Sequence, residues 1–144
     1  MKSILFVCLG NICRSPLAEA IAKKIYPSLK VESCGIGSWH IGEYPCSNSV
    51  KIAALHKVDI SNHRARQITD NDIKEFDYIV ALDDSNLNNL KAMGATNAVK
   101  LGSFGFENKD VPDPYFFAGF EGFELVYDMI DICVKNLLKE LQAQ

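Results

Sequence analysis

Cys8 and Arg14 stand six positions apart in the run Cys8-Leu9-Gly10-Asn11-Ile12-Cys13-Arg14-Ser15. A cysteine offers a thiolate nucleophile. An arginine offers a planar, permanently charged fork that matches two oxygens of an oxyanion. Gly10 suits a tight curve that turns successive N–H groups inward, and such a curl of amides holds anions. Pro16 fits the first turn of a helix, so the run feeds its N–H groups into a helix N-terminus, which also favours negative charge. Together these residues predict a phosphate loop: the amides from Leu9 to Ser15 ring the oxyanion, Arg14 clamps it, and Cys8 lies beneath the phosphorus for in-line attack. Ser15 is placed to hydrogen-bond the sulfur and help it depart in a second step.

The elements around the loop support this placement. Ser3–Val7 (SILFV) is a continuous apolar run, as in a strand covered on both faces. A helix is expected over 17–26, a strand over 31–34, helices over 48–56 and 70–76, a strand over 77–82, a helix over 85–93 closed by Gly94, and a strand over 98–101. Residues 102–120 read as a loop rich in glycine, proline and aromatics. From Glu121 the apolar positions 125, 126, 129, 130, 133, 134, 137, 138 and 141 form a helical stripe. Alternating strands and helices predict an α/β three-layer sandwich, one domain over 1–144, with a four-stranded parallel sheet of flavodoxin-like type flanked by helices. In such sheets ligands bind beyond the carboxyl ends of the strands, where the Cys8–Ser15 loop begins.

The 144 residues carry a net charge of −3, which argues against a nucleic-acid binder, and no apolar stretch is long enough to span a bilayer. Five cysteines without a C-x-x-C pair argue against a disulfide scaffold or a zinc site. Reduced thiols and a cytoplasmic location are expected, with no metal and no cofactor.

VCLGNICRSP resembles the signature of the low-molecular-weight protein tyrosine phosphatases. The likeness continues through SCGIGSWHIG (33–42), DISNHRARQI (59–68), ALDDSNL (81–87) and VPDPYF (111–116). The resemblance implies metal-independent hydrolysis of phosphotyrosine in a protein or peptide through a phosphocysteine, with inorganic phosphate and other oxyanions as ligands. It implies Asp113 as general acid and base. The chemistry wants one, because a phenolate leaving group has a conjugate acid of pKa about 10. It implies that Trp39 and Tyr115 line the substrate cleft with Phe116 beside them. Asn11, Ser15, Ser33 and His63 would hold the loop in shape, and Cys13 would trap an oxidised Cys8 as a disulfide. Cys34 and Cys133 read as core, His40 and His56 as surface. Asp83 reads as orienting the site or as a helix cap. The rim departs from the pattern at Cys46, where many members carry Asp, and at Asn48, where they often carry Arg.

Three other readings use a loop of this kind. A thioredoxin-coupled arsenate reductase needs further cysteines after the third strand, and ALDDSNLNNL has none. Protein arginine phosphatases tend to carry Thr where this loop has Ile12. A phosphate- or flavin-binding module needs neither Cys8 nor Arg14.

Overall fold

Every residue of β1 (Ser3–Cys8) is buried, polar alternation being absent because both faces of the strand are covered. The computed structural model describes residues 2–117 and 119–142. In it β1 pairs with β2 (Lys30–Gly35) on one side and β3 (Tyr78–Ala81) on the other, and β4 (Ala98–Lys100) extends the sheet beyond β3. All pairings are parallel and the strand order is β2-β1-β3-β4. Val7 lies opposite Cys34 on one flank and Ala81 on the other. The chain therefore leaves β1 in one direction and returns across it to β3. The point where the connections diverge is the carboxyl end of β1, the usual ligand crevice of an open α/β sheet.

The helices are α1 (Ser15–Ile25), α2 (Ser47–Leu55), α3 (Asp70–Glu75), α4 (Asp84–Ala92) and α5 (Glu121–Gln142). Side chains of β1 alternate between two cores. Ile4, Phe6 and Cys8 pack with α1, α2 and α5, whereas Leu5 and Val7 join Ile79, Ala81, Phe76 and Leu90 on the opposite face. Phe6 is fully buried, and its truncation to alanine costs about 3–5 kcal/mol in such settings. This packing fixes β1, and so fixes where Cys8 emerges.

In α2 the buried positions are Ser49, Ile52 and Ala53. In α5 the stripe runs through Val126, Ile130, Cys133, Val134, Leu137 and Leu138, whereas Leu125 is exposed. The stretch after β4 is more ordered than a plain loop. It contains single 3₁₀ turns at Leu101–Ser103 and Pro114–Phe116, the second capped by Asp113.

Candidate active site

The Cys8–Ser15 loop curls around its own sulfur. The Asn11 backbone N–H donates to Cys8 Sγ at 3.2 Å, and Ser15 Oγ lies 2.9 Å from the same sulfur. These two contacts hold the sulfur at the centre of the curl. Asn11 takes the left-handed conformation, φ 59°, which Asn tolerates better than most residues. Gly10 is not the residue with positive φ. Its missing side chain matters for space, since a Cβ there would come within 2.9 Å of the His40 ring.

Asn11 is fully buried and ties the loop to three other segments. Its Nδ2 donates to Ser15 Oγ at 2.8 Å and to Ser33 Oγ at 3.0 Å. Its Oδ1 accepts from the Arg66 backbone N–H at 3.0 Å and from His63 Nε2 at 3.2 Å. Ser33 passes the network to Glu19, donating to Oε1 at 2.6 Å. Burial lowers the His63 pKa, outweighing the opposite pull of Glu19, and Nε2 faces two oxygens of Asn11, which makes it the nitrogen placed to donate. Arg66 is in turn gripped by both oxygens of Asp72, the capping-box residue of α3. Gly35 completes the seat. A Cβ at that position would lie 2.9 Å from the Leu9 carbonyl and 3.1 Å from the Asn11 nitrogen, so the loop rests directly on the end of β2.

Arg14 is buried, and its Nη1 donates to Asp83 Oδ2 at 2.9 Å and to the Val111 carbonyl at 2.9 Å. The two contacts aim the guanidinium and leave its remaining donors for an oxyanion. Asp83 does both things expected of it, since its other oxygen caps α4 by accepting from the Asn86 N–H at 2.8 Å. Two residues past Val111, between Pro112 and Pro114, stands Asp113, whose Oδ1 accepts from the Tyr115 N–H at 2.9 Å.

These residues share a cavity of about 190 Å³ lined by Cys8, Arg14, Trp39, His40, Asp113 and Tyr115, together with Leu9, Gly10, Ile12 and Cys13. Trp39 is 71% exposed, so it belongs to the wall of the cavity and not to the core. A larger groove of about 630 Å³ lies behind the loop, against Glu19, Lys23 and His63. Its walls hold no cysteine, whereas the smaller cavity holds both Cys8 and Arg14.

A family model described as "Low molecular weight phosphotyrosine protein phosphatase" matches residues 3–144. The chain belongs to this family. Among its relatives, the low molecular weight protein-tyrosine-phosphatase YfkJ of Bacillus subtilis is 39% identical, with all of this chain and 98% of that protein aligned. The protein-tyrosine-phosphatase PtpA of Staphylococcus aureus strain MRSA252 is 41% identical over 96% of this chain and 92% of its own length. The crystal structure of YfkJ superposes with a TM-score of 0.89, covering 99% of this chain and 96% of that one at 36% identity. The Drosophila arginine phosphatase DARP superposes with the same score of 0.89, 98% of each chain being covered at 35% identity.

Within this phosphatase fold most of the expected residues converge: Cys8, Arg14, Asp113, Trp39 and Tyr115 on one cavity, and Asn11, Ser15, Ser33 and His63 in one hydrogen-bonded cluster beneath it. Phe116 does not converge. It is 83% exposed and absent from the cavity wall, because the 3₁₀ turn rotates it to the outer side. His40 is not mere surface: it lines the cavity beside Gly10 and contacts Glu43 at 2.8 Å. His56 is exposed but stacks on Tyr127, with ring centroids 4.1 Å apart.

The cysteines also differ from expectation. Cys13 is bonded to Cys46, not poised for Cys8, and Cys8, Cys34 and Cys133 are free. The reason lies in the backbone: the Cys46 N–H donates to the Ile12 carbonyl at 2.9 Å and Ser49 Oγ donates to the Cys13 carbonyl at 2.9 Å. These bonds draw the start of α2 against the loop, with the two Cα atoms 5.3 Å apart. Cys34 and Cys133 fit the core, and burial pushes the Cys133 thiol up to about 11. Glu19 and Gly35 were not singled out for the site from sequence, and Cys46 stood out only as a departure at the rim. Only the folded chain brings them to the loop.

Proposed function

We propose that the protein removes phosphate from phosphotyrosine in proteins or peptides by way of a phosphocysteine on Cys8. The phosphate dianion sits in the ring of amides with two oxygens on Arg14. Cys8 Sγ attacks phosphorus, the bond to the phenolic oxygen breaks, and Asp113 delivers a proton to that oxygen. Water then attacks the phosphocysteine while Asp113 takes its proton. The sulfur leaves as a thiolate, with the Ser15 hydroxyl as hydrogen-bond donor, and inorganic phosphate departs. Charge neutralisation comes from Arg14 and the amides, so the chemistry calls for no metal ion.

The observation that carries this reading is the double contact on the Cys8 sulfur, from the Asn11 amide and Ser15 Oγ, at the floor of a cavity that Arg14 also lines. Trp39 and Tyr115 supply aromatic walls for a phenyl ring. Ile12 at the same wall favours phosphotyrosine over phosphoarginine. Residues 1–144 act as one catalytic domain. Hydrolysis of a phosphotyrosine peptide and a phosphoarginine peptide with chelator present tests the proposal. Turnover of the first should exceed that of the second, be inhibited by inorganic phosphate, and vanish in Cys8→Ser. Full turnover in Cys8→Ser would overturn the mechanism, and a preference for phosphoarginine would overturn the substrate.

A further inference from the structure

Lys100, the last residue of β4, is buried at the far side of the segments that hold Arg14 and Asp113. Its side chain is only 4% exposed, and its Nζ reaches Asp84 Oδ1 at 2.9 Å and Asp110 Oδ1 at 2.5 Å. The Asp84 backbone N–H also donates to Asp110 Oδ1, at 3.0 Å. One residue before Asp84 is Asp83, which takes Arg14 Nη1, and one residue after Asp110 is Val111, whose carbonyl takes the same nitrogen. The Val111 N–H closes the set by donating to the Leu82 carbonyl at 2.8 Å. Segments 82–84 and 110–111 are thus stitched together at both ends, by Arg14 on the cavity side and by Lys100 on the sheet side. Asp113 begins two residues beyond the stitch. Lys100 is buried while Asp84 and Asp110 are 65% and 49% exposed, so the ammonium ties the two segments together at the edge of the sheet.

We infer that Lys100 is a positioning residue for the general acid: it anchors the Asp110–Val111 segment so that Asp113 meets the leaving-group oxygen while Arg14 holds the phosphate. This rests on the phosphocysteine reading above. Burial works against the Lys100 charge, but its hydrogen bonds to Asp110 and Asp84 outweigh that and keep the ammonium protonated. Lys100 touches neither substrate nor sulfur, so its loss should weaken proton delivery selectively and leave the nucleophile intact.

The test compares kcat/KM, which reports steps only through phosphoryl transfer to Cys8, for phenyl phosphate and 2,4-dinitrophenyl phosphate. The first needs a proton on departure and the second does not. Lys100→Met should lose on the order of 10-fold on phenyl phosphate, a fraction of what acid catalysis supplies, and stay within about 2-fold on the dinitrophenyl ester. Lys100→Arg should recover most of the loss. Asp110→Asn breaks the same anchor from the other side and should show the same split, which keeps the test open if Lys100→Met does not fold. Equal losses on both esters, or no loss on phenyl phosphate, would overturn the inference. A parent enzyme without Cys8-dependent hydrolysis would instead refute the proposed function.

Discussion

Replacing Asn11 with alanine removes the hub of the site without touching the nucleophile or the clamp. Four side-chain hydrogen bonds are lost, to Ser15, Ser33, the Arg66 amide and His63. Each is worth about 0.5–1.5 kcal/mol net. The lower half of that range applies to Ser15, Ser33 and His63, which keep Cys8, Glu19 and the Asn11 carbonyl as partners. The Arg66 N–H loses its acceptor and takes the upper half. Alanine at φ 59° adds roughly 1 kcal/mol of left-handed strain. The sum is about 3.5–5.5 kcal/mol, a large share of a typical stability of 5–15 kcal/mol. With a urea slope near 2 kcal/mol/M, the unfolding midpoint should fall by about 1.7–2.7 M. Asn11→Gly restores the backbone freedom and should recover roughly 1 kcal/mol of it. Activity should fall in both, since the Asn11 amide that contacts Cys8 is no longer fixed. A midpoint within about 0.5 M of the parent, with full activity, would refute the role of the network.

Three further outcomes are expected. Gly35→Ala should push the phosphate loop by several tenths of an ångström, because the Leu9, Gly10 and Asn11 backbone lies in its way. kcat/KM should drop on the order of 10-fold or more, and an unchanged value would mean that the loop does not rest on Gly35. Peptide mapping under non-reducing conditions should recover a Cys13–Cys46 bridge, and in Cys46→Ser mild peroxide should instead link Cys8 to Cys13; an 8–13 bridge in the parent would contradict the pairing. The pKa of His63 is lowered by burial, so its contribution to stability is fully present above the unfolded value of about 6.5 and is lost as pH falls from there toward the folded value. Urea midpoints at about pH 7.5 and 5.5 should therefore fall more for the parent than for His63→Gln, and a parent that gains stability on acidification would have the opposite sign.

The phosphate loop was legible in the chain because its chemistry is local. Strand, curl, Arg14 and helix follow one another within a few residues, and the apolar run of Ser3–Val7 says which end of the strand faces the ligand. The Asn11 network was legible only through resemblance, since Ser33 and His63 come from distant segments, and the Arg66 amide was not foreseen in it. What escaped depends on close approach. No pattern in the chain says that Cys46 lands beside Cys13, because that follows from hydrogen bonds between α2 and the loop backbone. Lys100 reads as an ordinary strand-end cation until β4 places it between two aspartates. Phe116 was misplaced for a related reason: three aromatics in a row, 115–117, cannot all face one cavity, and a single 3₁₀ turn decides which one does.

The most direct measurement is mass spectrometry of the protein quenched in acid during turnover of an aryl phosphate, in the parent and in Asp113→Ala. One phosphoryl group should be found on the peptide bearing Cys8. Phosphate on another residue, or steady hydrolysis with Cys8 never modified, would contradict a thiolate attacking phosphorus at the floor of this loop.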